Sequence, residues 1–92
     1  MAELKGIKCE KFILSSQETI KKTLGTGLLV VIASGSQYGA VFFIDYWTTG
    51  VNKILTTTGG EYISVTKENK SKDVSITNLQ NSSSSFYYFF VG

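Results

Sequence analysis

Short apolar runs alternate with breaks rich in glycine, serine and threonine along the whole chain, and proline is absent. Strands of ordinary length separated by turn residues at intervals of about ten positions are the signature of an all-β domain. The pattern predicts about eight strands: Gly6 to Leu14, Glu18 to Leu24, Leu28 to Ala33, Tyr38 to Trp47, Val51 to Thr57, Tyr62 to Lys67, Val74 to Thr77 and Phe86 to Val91. The breaks are Ser15-Ser16, Gly25-Thr26-Gly27, Ser34-Gly35-Ser36-Gln37, Thr48-Thr49-Gly50 and Thr58-Gly59-Gly60, then the charged segment Lys67 to Asp73 and the polar stretch Asn78 to Ser85. The segment from Ser16 to Leu24 has a helical alternative, with Ile20 and Leu24 on one stripe and Gly25 just past its end. Turn signals recur too often for helices of ordinary length, so the expected fold is all-β, a small antiparallel β-sandwich of jelly-roll-like form. All 92 residues form one domain, with residues 1–5 as a loose lead-in.

The phase of the apolar positions adds a second expectation. In Glu18 to Leu24, Thr19, Lys21 and Thr23 share one face while Ile20, Lys22 and Leu24 share the other, and a lysine among apolar neighbours suggests an edge strand. Three other strands do not alternate at all: Leu28 to Ala33, Val41-Phe42-Phe43-Ile44, and Phe86 to Val91. In the last, Phe86, Tyr88 and Phe90 point one way while Tyr87, Phe89 and Val91 point the other. A sandwich core covers only one face of each sheet, so the second apolar set needs another cover. That cover is another chain, a ligand, or nothing, in which case the face is an aggregation hazard. A second subunit is the expectation, with Tyr87, Phe89, Val91 and Phe43 in the interface between copies.

Composition narrows the chemistry. The chain is 42% hydrophobic and 17% charged, far from the balance of a disordered chain. Its longest apolar runs, Leu28 to Ala33 and Ala40 to Ile44, are too short to cross a bilayer, so membrane insertion is not expected. There is one cysteine and no histidine, which excludes the usual zinc, haem and iron–sulfur ligand sets. No compact acidic cluster suits calcium, so neither metal nor cofactor is expected. The net charge is only +2, and every one of the nine basic residues is lysine. Without arginine the bidentate contacts to phosphate and guanine are lost, and nucleic acid is not an expected partner. The N-terminal Met-Ala-Glu-Leu-Lys precedes no apolar core of a signal peptide, which points to synthesis in a cytosol.

Candidate binding residues are aromatic. Tyr38, Tyr46, Trp47 and Tyr62 lie near turns, and aromatic faces stack on the C–H faces of sugars. Tyr38, beside the glycines of its loop, is expected to be exposed, whereas Trp47 is more readily read as a core or interface residue. Asp45, the only acid inside an apolar strand, could accept from sugar hydroxyls or line a polar interface channel, but is more readily read as a lysine-paired or outward-facing carboxylate. No pair of carboxylates stands out as the acid and base of a glycosidase, so an enzyme is not expected. The loops Asn69 to Lys72 and Gln80 to Ser84 lack apolar anchors and are expected to move most.

The run Ser15-Ser16-Gln17-Glu18-Thr19-Ile20-Lys21-Lys22-Thr23-Leu24-Gly25-Thr26-Gly27-Leu28-Leu29-Val30-Val31 resembles the opening of the β-sandwich heads that end bacteriophage tail fibres and receptor-binding proteins. The close is similar too: Val74-Ser75-Ile76-Thr77-Asn78-Leu79, a Ser/Asn loop and a terminal aromatic strand. The resemblance covers Ser15 to Val91 and is one of pattern, without a defining ligand motif. It implies a homotrimer that binds a host cell-surface receptor, glycan or protein, at a virion tail. A complete fibre would add an attachment domain and a shaft. Two alternatives stay open: a monomeric bacterial carbohydrate-binding or adhesion module, and a structural trimerisation cap that binds nothing.

Overall fold

Alternation along the strands decides which side chains meet. The structure is a computed structural model that describes residues 7–33, 38–57 and 62–92. Its strands are β1 (Ile7–Leu14), β2 (Thr19–Thr23), β3 (Gly27–Ala33), β4 (Gly39–Ile44), β5 (Val51–Thr56), β6 (Ile63–Lys67), β7 (Asp73–Asn78) and β8 (Ser84–Val91). They form two antiparallel sheets, β1-β8-β3-β4-β5 and β2-β7-β6, and the fold is a small all-β sandwich. Pairing nests from the ends inward: β1 lies against β8 and β2 against β7, while β3 takes the other side of β8. This folded ribbon is the jelly-roll element. The β4–β5 hairpin stays with β3, which leaves one sheet of five strands facing one of three. The expected lead-in 1–5 and the turns Ser34 to Gln37 and Thr58 to Gly60 lie outside the described residues.

The inward positions come from a single phase of each strand. Phe12 and Leu14, Leu29, Val31 and Ala33, Ala40, Phe42 and Ile44, and Phe86, Tyr88 and Phe90 supply the larger sheet's half of the core; Ile63, Val65, Val74 and Ile76 supply the other. Phe12 stacks on Phe86 with ring centroids 5.5 Å apart. Each such large side chain contributes about 1.5–3 kcal/mol relative to exposure.

The segment Ser16 to Leu24 is a strand and a turn, and the helical alternative is overturned. Its strand β2 is an edge of the smaller sheet. Lys22 sits there on the inward phase, half-buried, and resolves its position by reaching across to Glu10 of β1 at 2.5 Å. Its ammonium also lies over the Tyr88 ring, 5.9 Å from the centroid. Lys22 therefore holds the Glu10 carboxyl below its ordinary value, by hydrogen bond and charge. The pair closes the open edge of the sandwich between β1 and β2.

Two local features fix the chain path. At the β2–β3 turn Gly25 has φ +90°, in the left-handed region that side chains avoid. Two residues on, a Cβ at Gly27 would stand 2.2 Å from the Val91 carbonyl oxygen, so only glycine lets β3 begin this close to the end of β8. At the opposite end, Asn78 is fully buried. Its Nδ2 reaches the carbonyls of Leu14 at 3.1 Å, Ser15 at 3.1 Å and Ser82 at 3.0 Å. Its Oδ1 accepts from the Gln80 amide at 2.9 Å. One side chain thus joins the β1–β2 turn to the β7–β8 loop. The stretch Gln80 to Ser84 has polar anchors in place of apolar ones, a bond from Gln80 Nε2 to Ser84 Oγ of 3.0 Å among them.

Truncating Asn78 to alanine strands buried backbone carbonyls, which costs about 2–4 kcal/mol in total. For a domain of this size the melting temperature should fall by about 10–25 °C in calorimetry. A fall of only a degree or two would show that water replaces the amide without penalty.

Candidate functional site

The four aromatic candidates separate into two pairs. Tyr38 continues the inward phase of Ala40 and Phe42, and it is 1% exposed. Its ring stacks on half-buried Tyr62, centroids 4.8 Å apart and planes 13° from parallel. The expectation of an exposed Tyr38 is therefore corrected: it is core, and Tyr62 covers it. Tyr46 and Trp47 lie past the other end of β4, about 20 Å away along six residues of strand. Their rings meet edge to face at 5.1 Å and 85°. Trp47 is 66% exposed, so it does not belong to the core of this chain.

The β4–β5 loop carries Trp47 out of the sheet by a definite mechanism. The Asp45 carboxylate accepts from the Trp47 amide at 3.0 Å and from the Thr48 hydroxyl at 3.5 Å. This is the turn that aspartate favours, and it ends β4 at Ile44, short of the expected Trp47. Thr48 Oγ1 accepts in turn from the Gly50 amide at 2.8 Å. From the β2–β3 turn, Thr26 Oγ1 accepts from the Tyr46 amide at 2.9 Å. The last member is Lys67, the final residue of β6, which is buried. Its ammonium donates to the carbonyls of Tyr46 at 3.2 Å, Glu68 at 2.6 Å and Thr48. A charge removed from water is tolerable only when donors and acceptors are this well matched. Lys67 ends the expected strand Tyr62 to Lys67 and opens the charged segment Lys67 to Asp73, and its burial was not expected. Its signal was its phase: Ile63, Val65 and Lys67 share the inward face of β6.

The second feature is the outer face of the larger sheet. Paired residues in an antiparallel sheet share a face, so the register gives its rows directly. Cys9, Phe89, Val30, Val41 and Leu55 form one row across all five strands. Val91, Leu28, Phe43 and Asn52 form the next, and Lys11, Tyr87 and Ile32 the one on the other side. Tyr87, Phe89, Val91 and Phe43, the expected interface residues, thus lie together on this face, each between about a third and a half exposed. The one lysine in these rows, Lys11, stands over the Tyr87 ring at 5.5 Å. At the sheet's edge Ile54 is the extra residue of a bulge between β4 and β5, and β5 is exposed along most of its length.

Elsewhere the chain offers a shallow polar hollow of about 310 Å³ on the smaller sheet, lined by Lys21, Thr66, Glu68, Ser71, Asp73 and Ser75 beside Lys67. Three carboxylates have structural partners: Glu10 meets Lys22, Asp73 accepts from the Thr23 hydroxyl at 2.8 Å, and Glu18 accepts from the Ser15 amide at 2.7 Å. Among the described residues no three histidines, cysteines or acids group as a metal site would require, and no helix is long and apolar enough to cross a membrane. The chain matches no protein-family model, no curated protein and no solved structure.

Replacing Lys67 with methionine keeps the stem's volume and removes the donor to all three carbonyls. Water can reach some of them, so the loss should be about 1–2 kcal/mol, or about 5–15 °C in melting temperature. Amide exchange at Tyr46 to Gly50 should accelerate more than in β3. Equal acceleration throughout the chain would contradict a specific hold on the loop.

Proposed function

We propose that the chain is a non-enzymatic, self-associating β-sandwich head that serves attachment, as its resemblance to phage tail-fibre heads implies. One observation carries the reading: the larger sheet is apolar on both faces, and its own partner sheet covers only one. The longest row spans four strand spacings of about 4.8 Å and the three rows stand about 7 Å apart, a footprint of about 270 Å² before corrugation and rim are added. Apolar patches of a few hundred Å² are often functional, and this one is about a third of the flat extent a standard interface needs per partner. A second copy of the same face suits it best. The rows are almost uncharged, so they offer no sign for a charged partner to match, and aromatic residues sit at their centre as in the cores of homo-oligomer interfaces. Closed symmetry then ends the association. Three copies, a virion tail and a host-surface receptor follow from the tail-fibre resemblance; the physical argument requires only more than one copy.

Sedimentation or light scattering at tens of micromolar should give a defined multiple of the 10.1 kDa chain. Phe89→Lys puts a charge in the middle of the central row and should yield monomer or precipitate, whereas Lys21→Glu on the opposite sheet should leave the mass unchanged. A wild-type monomer at that concentration would overturn the reading in favour of a monomeric adhesion module.

A further inference from the structure

The loop after β4 presents a single large aromatic side chain on a backbone that is tied at almost every step. Its amides at Tyr46, Trp47 and Gly50 donate to Thr26, Asp45 and Thr48, and its carbonyls at Tyr46 and Thr48 accept from Lys67. A loop with no task beyond joining two strands needs neither a buried lysine nor an exposed indole. Rigid presentation lowers the ordering cost of binding, and tryptophan is the residue most often found where binding energy concentrates.

From this we infer that Trp47 is a stacking platform for a pyranose ring, and that Lys67 is the positioning residue that holds it. The inference rests on the attachment reading above and names the site and ligand class for it. The ligand class follows from what surrounds the indole. Tyr46 meets Trp47 at right angles rather than stacking on it, and the Trp47 residue stays 66% exposed. The π face carries negative charge density and takes the weakly positive C–H face of a sugar. Thr49 beside it is an exposed hydroxyl residue, suited to the hydroxylated edge of the same ring. A cationic ligand would want a free carboxylate, but both oxygens of Asp45 are engaged within the loop. An alkyl chain would want apolar walls, and the loop supplies threonines. Lys67 reaches the loop from the smaller sheet, the one that packs against the opposite face of the larger sheet from the open rows.

Trp47 is the chain's only tryptophan, so its emission reports this site alone. Cellohexaose, chitohexaose and maltoheptaose serve as probes, titrated into the full chain. At least one should shift the emission saturably and protect the indole from acrylamide. By calorimetry, Trp47→Ala should lose affinity for that sugar by about tenfold or more, and Trp47→Phe should recover part of it. Lys67→Met should weaken binding while the circular dichroism of the sheets is retained, and Lys67→Arg should restore it. Sugar binding that survives Trp47→Ala unchanged would overturn the site and leave attachment standing. No saturable response to any of the probes would overturn the inference together with the glycan form of the attachment reading, while the mass measurement would still decide self-association.

Discussion

A side chain on a β-strand can point only to one face of its sheet or the other, and this chain makes both choices apolar along β3, β4 and β8. The rest of the architecture follows from that constraint. One phase of these strands, Leu29, Val31, Phe42, Ile44, Phe86, Tyr88 and Phe90, is buried beneath the smaller sheet. The other phase has no cover among the described residues, because the smaller sheet packs against one face only. At the edge of the larger sheet, the bulge at Ile54 and the side chain of Lys53 blunt a strand that would otherwise invite pairing. The β4–β5 hairpin widens the open face while Ala40, Phe42 and Ile44 of β4 add to the core.

A thin core leaves unusual weight on buried polar groups. Asn78 and Lys67 are the two buried polar residues among those described, and they sit near opposite ends of the smaller sheet's buried face. Each is tied to carbonyls of connecting segments, Asn78 to the turns after β1 and β7 and Lys67 to the loop after β4. Such groups cost stability when unmatched and specify one geometry when matched. Here they fix loops in a molecule that has no helix among its described residues to brace them, and one of those loops carries the exposed indole.

Much of this was legible in the residues. Turn chemistry located all eight strands to within a few positions, because glycine and serine breaks are local signals. The two-sided strands announced the open face, since phase is read directly from sequence once a strand is assumed. Lys22 marked an edge strand for the same reason. What escaped were contacts made across large sequence separations. Tyr38 was read from the glycines beside it, whereas the phase it shares with Ala40 and Phe42 decides its burial. Trp47 was read from its size, whereas Asp45, Thr26 and Lys67 decide that it leaves the sheet. Asn78 looked like the start of a polar loop because its partners, Leu14 and Ser15, are more than sixty residues away. The difference is between patterns written within one strand and partners chosen by topology.

The central claim is that the open rows of the larger sheet are covered by further copies while the Trp47 loop stays in solvent. A soluble paramagnetic probe added to the protein at tens of micromolar tests both parts in one NMR experiment, through the relaxation of methyl and aromatic protons. The account predicts that Leu28, Phe89 and Val91 are shielded nearly as well as buried Leu29 and Phe86, with Trp47 relaxed strongly. Relaxation of Leu28, Phe89 and Val91 as strong as that of Trp47 would show a bare face and contradict the account.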